Sequence, residues 1–333
     1  MAVRGKTLAG LIGGAAFLLG MPAWWILTPA PAVQDGPQVV EISPNMGVLD
    51  VAQRLHDAEL IRSPMAFAAL AAVRGRARHL KAGEYRIPRD ASMLTILSLL
   101  ESGRVVQHPV LLPEGATVLE LGRILQAERL ADAAEVTRFA HDRDFLNRLD
   151  VKAPSLEGYV FPDTYHFVRG MPTEEILARM VQRLHARITG DILARARARG
   201  LGLHELLTLA SIIEREAAVR EEMPMISAVF WNRLKRDMPL QADPTVQYAV
   251  GKERRALTRA DLLVDDPFNT YRRPGLPPGP IASPGLAAVD AALNPAPLAY
   301  LYFVATDDRR HVFSTTLEEH NAAVARYRLA RAR

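Results

Sequence analysis

The sequence predicts an α+β protein: a single N-terminal transmembrane helix, small α/β modules behind it, and a larger mixed domain of helices and short antiparallel strands. Three observations carry that expectation. An uncharged run from Leu8 to Leu27 follows a basic start, and about 20 apolar residues suffice for one helical crossing of a bilayer. Behind it, short β-rich segments alternate with stretches of helical hydrophobic spacing. From residue 153 onward, longer apolar helical runs are broken by segments rich in Pro and Gly. The 333 residues, 49% hydrophobic and 23% charged, have ordinary globular composition. With no cysteine there is no disulfide framework, zinc ribbon, iron–sulfur cluster or thiol nucleophile. Forty-one basic against 37 acidic residues leave +4, too little to argue for an anionic partner.

Residues 1–7 carry Arg4 and Lys6 and no acid, and Trp24 and Trp25 close the apolar run. The positive-inside rule keeps that basic end in the cytoplasm and interfacial aromatics anchor the far end, so everything past Pro29 is outside. The competing reading is a cleaved signal peptide, with Leu8–Leu19 as its core and Ala30-Pro31-Ala32 as the cleavage site. Residues 28–38 read as an extended linker.

Val39–Ile42 has strand character. Apolar residues at 48, 51, 52, 55 and 58 predict a helix, and Ser63-Pro64 opens a second with Ser at the cap and Pro at the first position. Gly83–Pro88 is a short strand between breakers, and a third helix runs from about Ser92 to Glu101. A faint repeat sets Val48–Leu55 against Val118–Leu125, each after a proline-bearing strand-like segment. Such strand–helix–helix–strand units resemble LysM-like glycan-binding modules, giving 39–108 as one module and 109–152 as a second small one. Two spacer modules with similar helix starts are the alternative. In 153–333, Thr173–Gly200 is a long helical stretch, Gly200-Leu201-Gly202 breaks it, and His204–Val219 is a strongly apolar helix. Arg183, Arg187, Arg195, Arg197 and Arg199 lack interleaved aromatics and read as a solvated face, with no nucleic-acid partner.

The familiar catalytic signatures are missing: no phosphate-binding glycine loop, no G-x-S-x-G elbow, no S-x-x-K. His204-Glu205 opens like a zinc-protease helix, but Thr208 stands where the second histidine belongs, so neither metal nor cofactor is expected. The remaining catalyst is a carboxylate. On the helix, residues 206, 207, 210, 213 and 214 share nearly one face, which puts Glu214 at the end of an apolar stripe. Desolvation there raises a carboxyl's pKa, as a general acid near neutrality requires. The alternative is a core-edge glutamate paired with Arg233 or Arg215. Glu216 is about 200° further round; it and Arg215 are expected in solvent, away from any small site Glu214 serves.

Further along, Val229–Leu234 carries Asn232 and Arg233, and Leu240–Tyr248 gathers amide, acid, hydroxyl and phenol. Asn269-Thr270-Tyr271 precedes Pro274–Ile281, a stretch with four prolines and two glycines that predicts a fixed irregular loop. Planar amides, acids and flat rings are the inventory for holding sugars.

With these segments the chain resembles the YceG-like family, the MltG-type endolytic murein transglycosylases of the bacterial cell envelope. The resemblance spans essentially the whole chain. It is most specific in Leu156–Tyr165, Ala210–Glu216, Leu240–Val246 and Asn269–Tyr271 with Gly275–Gly279, and the strands Tyr300–Val304 and His311–Phe313 fit as well. Ala242 departs from it, standing where a small polar residue is expected. The resemblance implies Glu214 as the catalytic acid/base and 153–333 as the catalytic domain. It also implies non-hydrolytic cleavage of the MurNAc-β-1,4-GlcNAc bond, leaving a 1,6-anhydro end. Asn232, Gln241, Asp243, Thr245, Asn269 and Tyr271 become candidate sugar contacts. Glu157 is a weaker one, an acid between turns that also fits a helix cap. The expected partners are glycan strands of peptidoglycan, penicillin-binding proteins of the elongation or division machinery, and the inner membrane through Leu8–Leu27. A hydrolytic muramidase and a non-catalytic glycan-binding scaffold are the rival readings.

Overall fold

The computed structural model describes residues 28–29, 36–252, 255–306 and 310–331. The expected cytoplasmic tail and transmembrane segment, 1–27, lie outside them. No helix among the described residues is long and apolar enough to cross a membrane. The mixed α+β fold with short antiparallel strands is present, as three two-stranded sheets among helices in the described residues. The chain divides into two units: one runs up to His108 and adds 166–171, and the other holds 109–165 and 172–333.

In the first unit, β1 (Gln38–Ile42) pairs antiparallel with β2 (Gly83–Ile87), Val40 opposite Tyr85. Two helices, α1 (Val48–Asp57) and α2 (Pro64–Val73), connect them, and α3 (Met93–Ser102) follows. The local signals act as expected. Ser63 and Ser92 cap α2 and α3 by accepting from Ala66 N and Thr95 N, and left-handed Gly103 ends α3. Val40, Ile42, Val51, Leu55, Phe67, Tyr85, Ile87, Ile96 and Leu100 form one buried core. Burial of Glu84 is balanced by donors from His108 and from Arg169 Nη1 at 3.0 Å. These bonds tie 166–171 into this unit.

The chain leaves and re-enters the first unit along β3 (His108–Leu111) and β4 (Thr164–Phe167), which form the second sheet. The second unit begins with α4 (Val118–Ala127), α5 (Ala133–Ala140) and α6 (Arg143–Arg148). Residues 109–152 thus share a unit with 172–333. The long helical stretch is two helices, α7 (Thr173–Arg187) and α8 (Gly190–Ala198). Ile188 leaves helical geometry at ψ 86° and Thr189 is extended; two β-branched residues before a glycine make a weak place in a helix.

At the centre lies α9 (Leu203–Glu216), packed against α10 (Met223–Leu234), α11 (Asp243–Ala249) and α12 (Leu286–Leu293). All eight residues from Leu206 to Ile213 are buried, so α9 is covered all round rather than on one stripe. Its polar members bond locally: Thr208 Oγ1 donates to His204 O and Ser211 Oγ to Thr208 O. The hairpin β5 (Tyr302–Ala305) with β6 (His311–Ser314) and the last helix α13 (Leu317–Arg331) complete the unit.

Candidate active site

Because α9 is buried on every side, it meets solvent only where it ends. There a cavity of about 450 Å³ is lined by Glu214, Arg215, Glu216 and Ala217, by Glu114 and Gly115 of the β3–α4 loop, and by Asp243, Pro244 and Gln247 of α11. This corrects the expectation for Glu216. A 200° separation parts two residues on the side of a helix, but both face a space that closes over its end. Glu216 is half-buried, not solvated.

The loop after the prolines is laid along α9 by three contacts in sequence order. His204 Nε2 meets Pro278 O at 2.8 Å, Ile281 N donates to Ser211 Oγ at 3.1 Å, and Gly285 N donates to Glu214 Oε2 at 2.9 Å. The β3–α4 loop is stitched to the same segment through Gly115 N to Ser283 O and Ser283 N to Ala116 O, each 2.8 Å. Gly158 has φ +77°, and a Cβ there would stand 2.3 Å from Pro280 Cβ, so the glycine permits the Leu156–Tyr165 segment to close on the proline loop.

Among the described residues Glu214 makes no ion pair with an arginine. Arg215 Nη1 donates to Gly115 O, and Arg233 turns to the carbonyls of Leu301, Pro239 and Leu240. Burial raises the Glu214 pKa above the usual carboxylate range; the Gly285 N–H opposes that, the Glu114 charge adds to it and Arg220 opposes it. Glu114 is itself ion-paired with Arg220. The negative end of the α9 dipole also disfavours a charged carboxylate in this last turn. The result is a partly exposed acid that holds its proton more tightly than an ordinary carboxyl and is bonded by one backbone donor.

Burial and the Asp243 charge raise Glu216 to about 8, against Arg233 and the Asp243 N–H. Asp243 in turn accepts the Tyr271 hydroxyl at 2.6 Å. Of the candidate sugar contacts, Asp243 lines the cavity and Tyr271 reaches it through Asp243. The others do not line it. Thr245 and Asn269 are fully buried. Thr245 Oγ1 donates to Ala242 O and meets Thr270 Oγ1, while Asn269 Nδ2 donates to Leu262 O and Val264 O. Asn232 Nδ2 donates to Leu298 O and Tyr300 O. Gln241, at φ +50°, accepts from Arg233 Nη1. Glu157 is buried and accepts from Val118 N, the first amide of α4; it serves as a helix cap. Sequence reasoning missed Glu114 and Gly285. Gly285 had a signal, since Ser283-Pro284-Gly285 stands just before an apolar helical run; Glu114, an acid in a turn, had none.

The YceG-like family model matches residues 40–326. The chain belongs to the YceG-like family. Its curated relatives include an endolytic murein transglycosylase of Bacillus subtilis, 33% identical, with the alignment covering 95% of this chain and 91% of that protein. A Streptococcus pneumoniae protein of the same name is 30% identical over 90% of this chain and 60% of its own length. Among solved structures, a yceG-like protein of Listeria monocytogenes superposes with a TM-score of 0.61 at 33% identity, covering 87% of this chain and 99% of that one. The likeness to the Listeria structure covers the fold over most of this chain.

Proposed function

We propose that this YceG-like chain is an endolytic lytic transglycosylase of peptidoglycan, a lyase that cuts the MurNAc-β-1,4-GlcNAc bond within glycan strands. The observation that carries the reading is Glu214: a desolvated acid with a raised pKa, a single backbone donor and no arginine partner, opening into a cavity. The names of the relatives support the substrate. Glu214 first gives its proton to the glycosidic oxygen as the C1–O bond breaks. The muramyl C6 hydroxyl then attacks C1, and its proton passes to the Glu214 carboxylate, closing the 1,6-anhydro ring and restoring the acid. Intramolecular attack has a high effective molarity, so one carboxyl suffices where a hydrolase uses two. A retained Leu8–Leu27 anchor would hold the enzyme on the outer face of the inner membrane, near new strands whose length it would set, beside penicillin-binding synthases. The first unit, a strand–helix–helix–strand arrangement like LysM, is the proposed glycan-side module.

The hydrolytic reading has one observation in its favour: further carboxyl groups, Glu114, Glu216 and Asp243, line the same cavity. Mass spectrometry of products from purified glycan strands separates the two. Anhydro ends are expected; ends carrying an added water overturn the transglycosylase. Glu214→Gln is expected to lower turnover by about 10³-fold while the protein still binds strands, since general acids contribute on the order of 10²–10⁴. Undiminished cleavage by this variant would make Glu214 structural.

A further inference from the structure

In the first unit, α2 reads Pro-Met-Ala-Phe-Ala-Ala-Leu-Ala-Ala-Val and has no polar side chain. A helix that is apolar all round is ordinarily covered all round, but α2 is covered on one side only. Phe67, Ala68 and Ala71 are buried, whereas Met65, Ala69, Ala72 and Val73 are exposed, and helical spacing puts those four on one face. Met65 is 69% exposed and Val73 87%. The chain runs on from this face into Arg74, Arg76, Arg78, His79 and Lys81, all exposed. No acid occurs between Glu59 and Glu84. Arg76 Nε lies 3.9 Å from Glu101, and Lys81 Nζ donates to Ser102 O at 3.4 Å. The Arg74 and Arg78 side chains have no partner among the described residues. Residues 62–83 also lack Asn, Gln, Tyr and Trp, and their one Phe is buried. The amides, acids and exposed phenol, indole or phenyl rings that hold sugars are therefore missing from this face. Its position in the chain is the third observation. Arg62 Nη2 donates to Pro29 O at 2.8 Å, so the chain leaving the uncharged run Leu8–Leu27 passes beside the start of α2.

We propose that the exposed face of α2 and the basic segment 74–81 form a docking surface for a bilayer with anionic lipid headgroups. Met65 and Val73 enter the boundary between headgroups and acyl chains, as the apolar face of an interfacial helix does. Arg74, Arg76, Arg78 and Lys81 meet lipid phosphates; guanidinium and phosphate pair bidentately. Each basic residue near an anionic surface favours the docked state about fivefold, the equivalent of ~1 kcal/mol. An apolar patch with no charge beside it would fit many partners; one bordered by unpaired arginines and free of acids fits an anionic surface with an apolar interior. The proposal goes with the retained anchor of the proposed function and is independent of the chemistry at Glu214. An anchor alone leaves the first unit free to turn about residues 28–38. Docking through α2 gives that unit one orientation on the membrane.

The chain has no cysteine, so Val73→Cys takes a single fluorescent label. The labelled full-length protein is reconstituted into vesicles of phosphatidylcholine, alone or mixed with phosphatidylglycerol, with a spin-labelled lipid as quencher. Quenching is expected in the anionic vesicles at about 0.1 M salt, to be weaker in phosphatidylcholine alone, and to fall at about 1 M salt, where the screening length is ~3 Å. Arg74→Gln with Arg78→Gln is expected to lower the docked-to-undocked ratio about 25-fold, about fivefold for each charge, with turnover of soluble strands unchanged. Quenching that ignores lipid charge, or that survives the double substitution, overturns the proposal. So does equal quenching of a label at Leu263→Cys, an exposed position of the second unit. A label that responds to added peptidoglycan strands and not to lipid overturns it as well, and gives this face to glycan. Failure of the anchor reading shows separately, as a chain that does not float with phosphatidylcholine vesicles. Flotation with the anionic vesicles then reads the docking surface directly, and no flotation overturns it. Failure of the catalytic reading shows as turnover persisting in Glu214→Gln.

Discussion

The same piece of backbone is built twice in this chain, once in each unit, and only the second copy reaches the cavity. Val48 and Val118 both begin ten-residue helices. Asn45 and Gly115 are left-handed in the turns before them, at φ 65° and 74°, and Glu59 and Arg129 are left-handed after them, at 57° and 56°. Leu60 N and Leu130 N close the helix ends on Leu55 O and Leu125 O. The differences lie in the leading turn. In the first copy Ser43-Pro44-Asn45 is exposed. In the second, Pro113-Glu114-Gly115 turns inward, with Gly115 N donating to Ser283 O and Gly115 O accepting from Arg215, and Glu114 faces Glu214. A turn that only starts a helix in one unit becomes part of the wall of the Glu214 cavity in the other through one acidic residue and one glycine.

The sharpest way to break this comparison is to damage both copies equally. Leu55 and Leu125 occupy matching positions and are both fully buried. Leu55→Ala and Leu125→Ala are each expected to cost about 3 kcal/mol, by lost transfer energy and a cavity, read from denaturant unfolding. Their effects on turnover of soluble strands should differ. Leu125→Ala, in the unit that holds every cavity residue, is expected to lose most activity at moderate temperature, and Leu55→Ala to keep most of it. Equal losses would mean that the two copies are not separable in use.

A smaller effect tests the acid in the turn. The Glu114 charge raises the Glu214 pKa, and its Arg220 partner lowers it. Glu114→Gln removes the first influence and leaves the second unneutralised, so both changes move the Glu214 pKa down. A general acid works while protonated, so the alkaline limb of kcat/KM is expected to shift to lower pH, with a loss of about fivefold at neutral pH. An alkaline limb that stays put, or moves up, would show that Glu114 does not act on Glu214 through its charge.

Sequence reasoning could reach the elements because their signals are local. Ser63-Pro64, Ser92 and Gly103 announce helix ends through a few neighbouring atoms, and the 48/118 repeat is written in side-chain types. Glu214 was also reachable, because its apolar neighbours lie on its own helix. The fate of Glu216 was not. Helical spacing treats α9 as a rod seen from the side, and its burial all round is decided by α10, α11 and α12, which lie outside its own segment. What the sugar-contact candidates bond to within the fold was hidden for a related reason. Asn232, Thr245 and Asn269 have the chemistry of glycan contacts, but the fold spends those amides and hydroxyls on carbonyls of irregular segments that would otherwise be unpaired.

The smallest effect comes from the caps, and it sharpens the comparison most finely. At the first helix, Asp50 accepts from Gly47 N at 3.1 Å. At the second, Glu120 accepts from Thr117 N at 2.9 Å, Thr117 Oγ1 accepts from Glu120 N at 3.1 Å, and Glu157 takes Val118 N as well. The second start is therefore held by three acceptors where the first has one. Asp50→Ala and Glu120→Ala are each expected to cost about 0.5–1 kcal/mol, measured from the unfolding midpoint of each unit. The α4 cap is the frame for the Glu114–Gly115 turn, so Glu120→Ala should also lower kcat by about twofold, a loss of ~0.4 kcal/mol in transition-state stabilisation. Asp50→Ala should leave kcat on soluble strands where it was. If both variants move kcat alike, the extra acceptors at α4 stabilise a helix and nothing more, and the wall of the cavity owes its shape to the Gly115–Ser283 bonds instead.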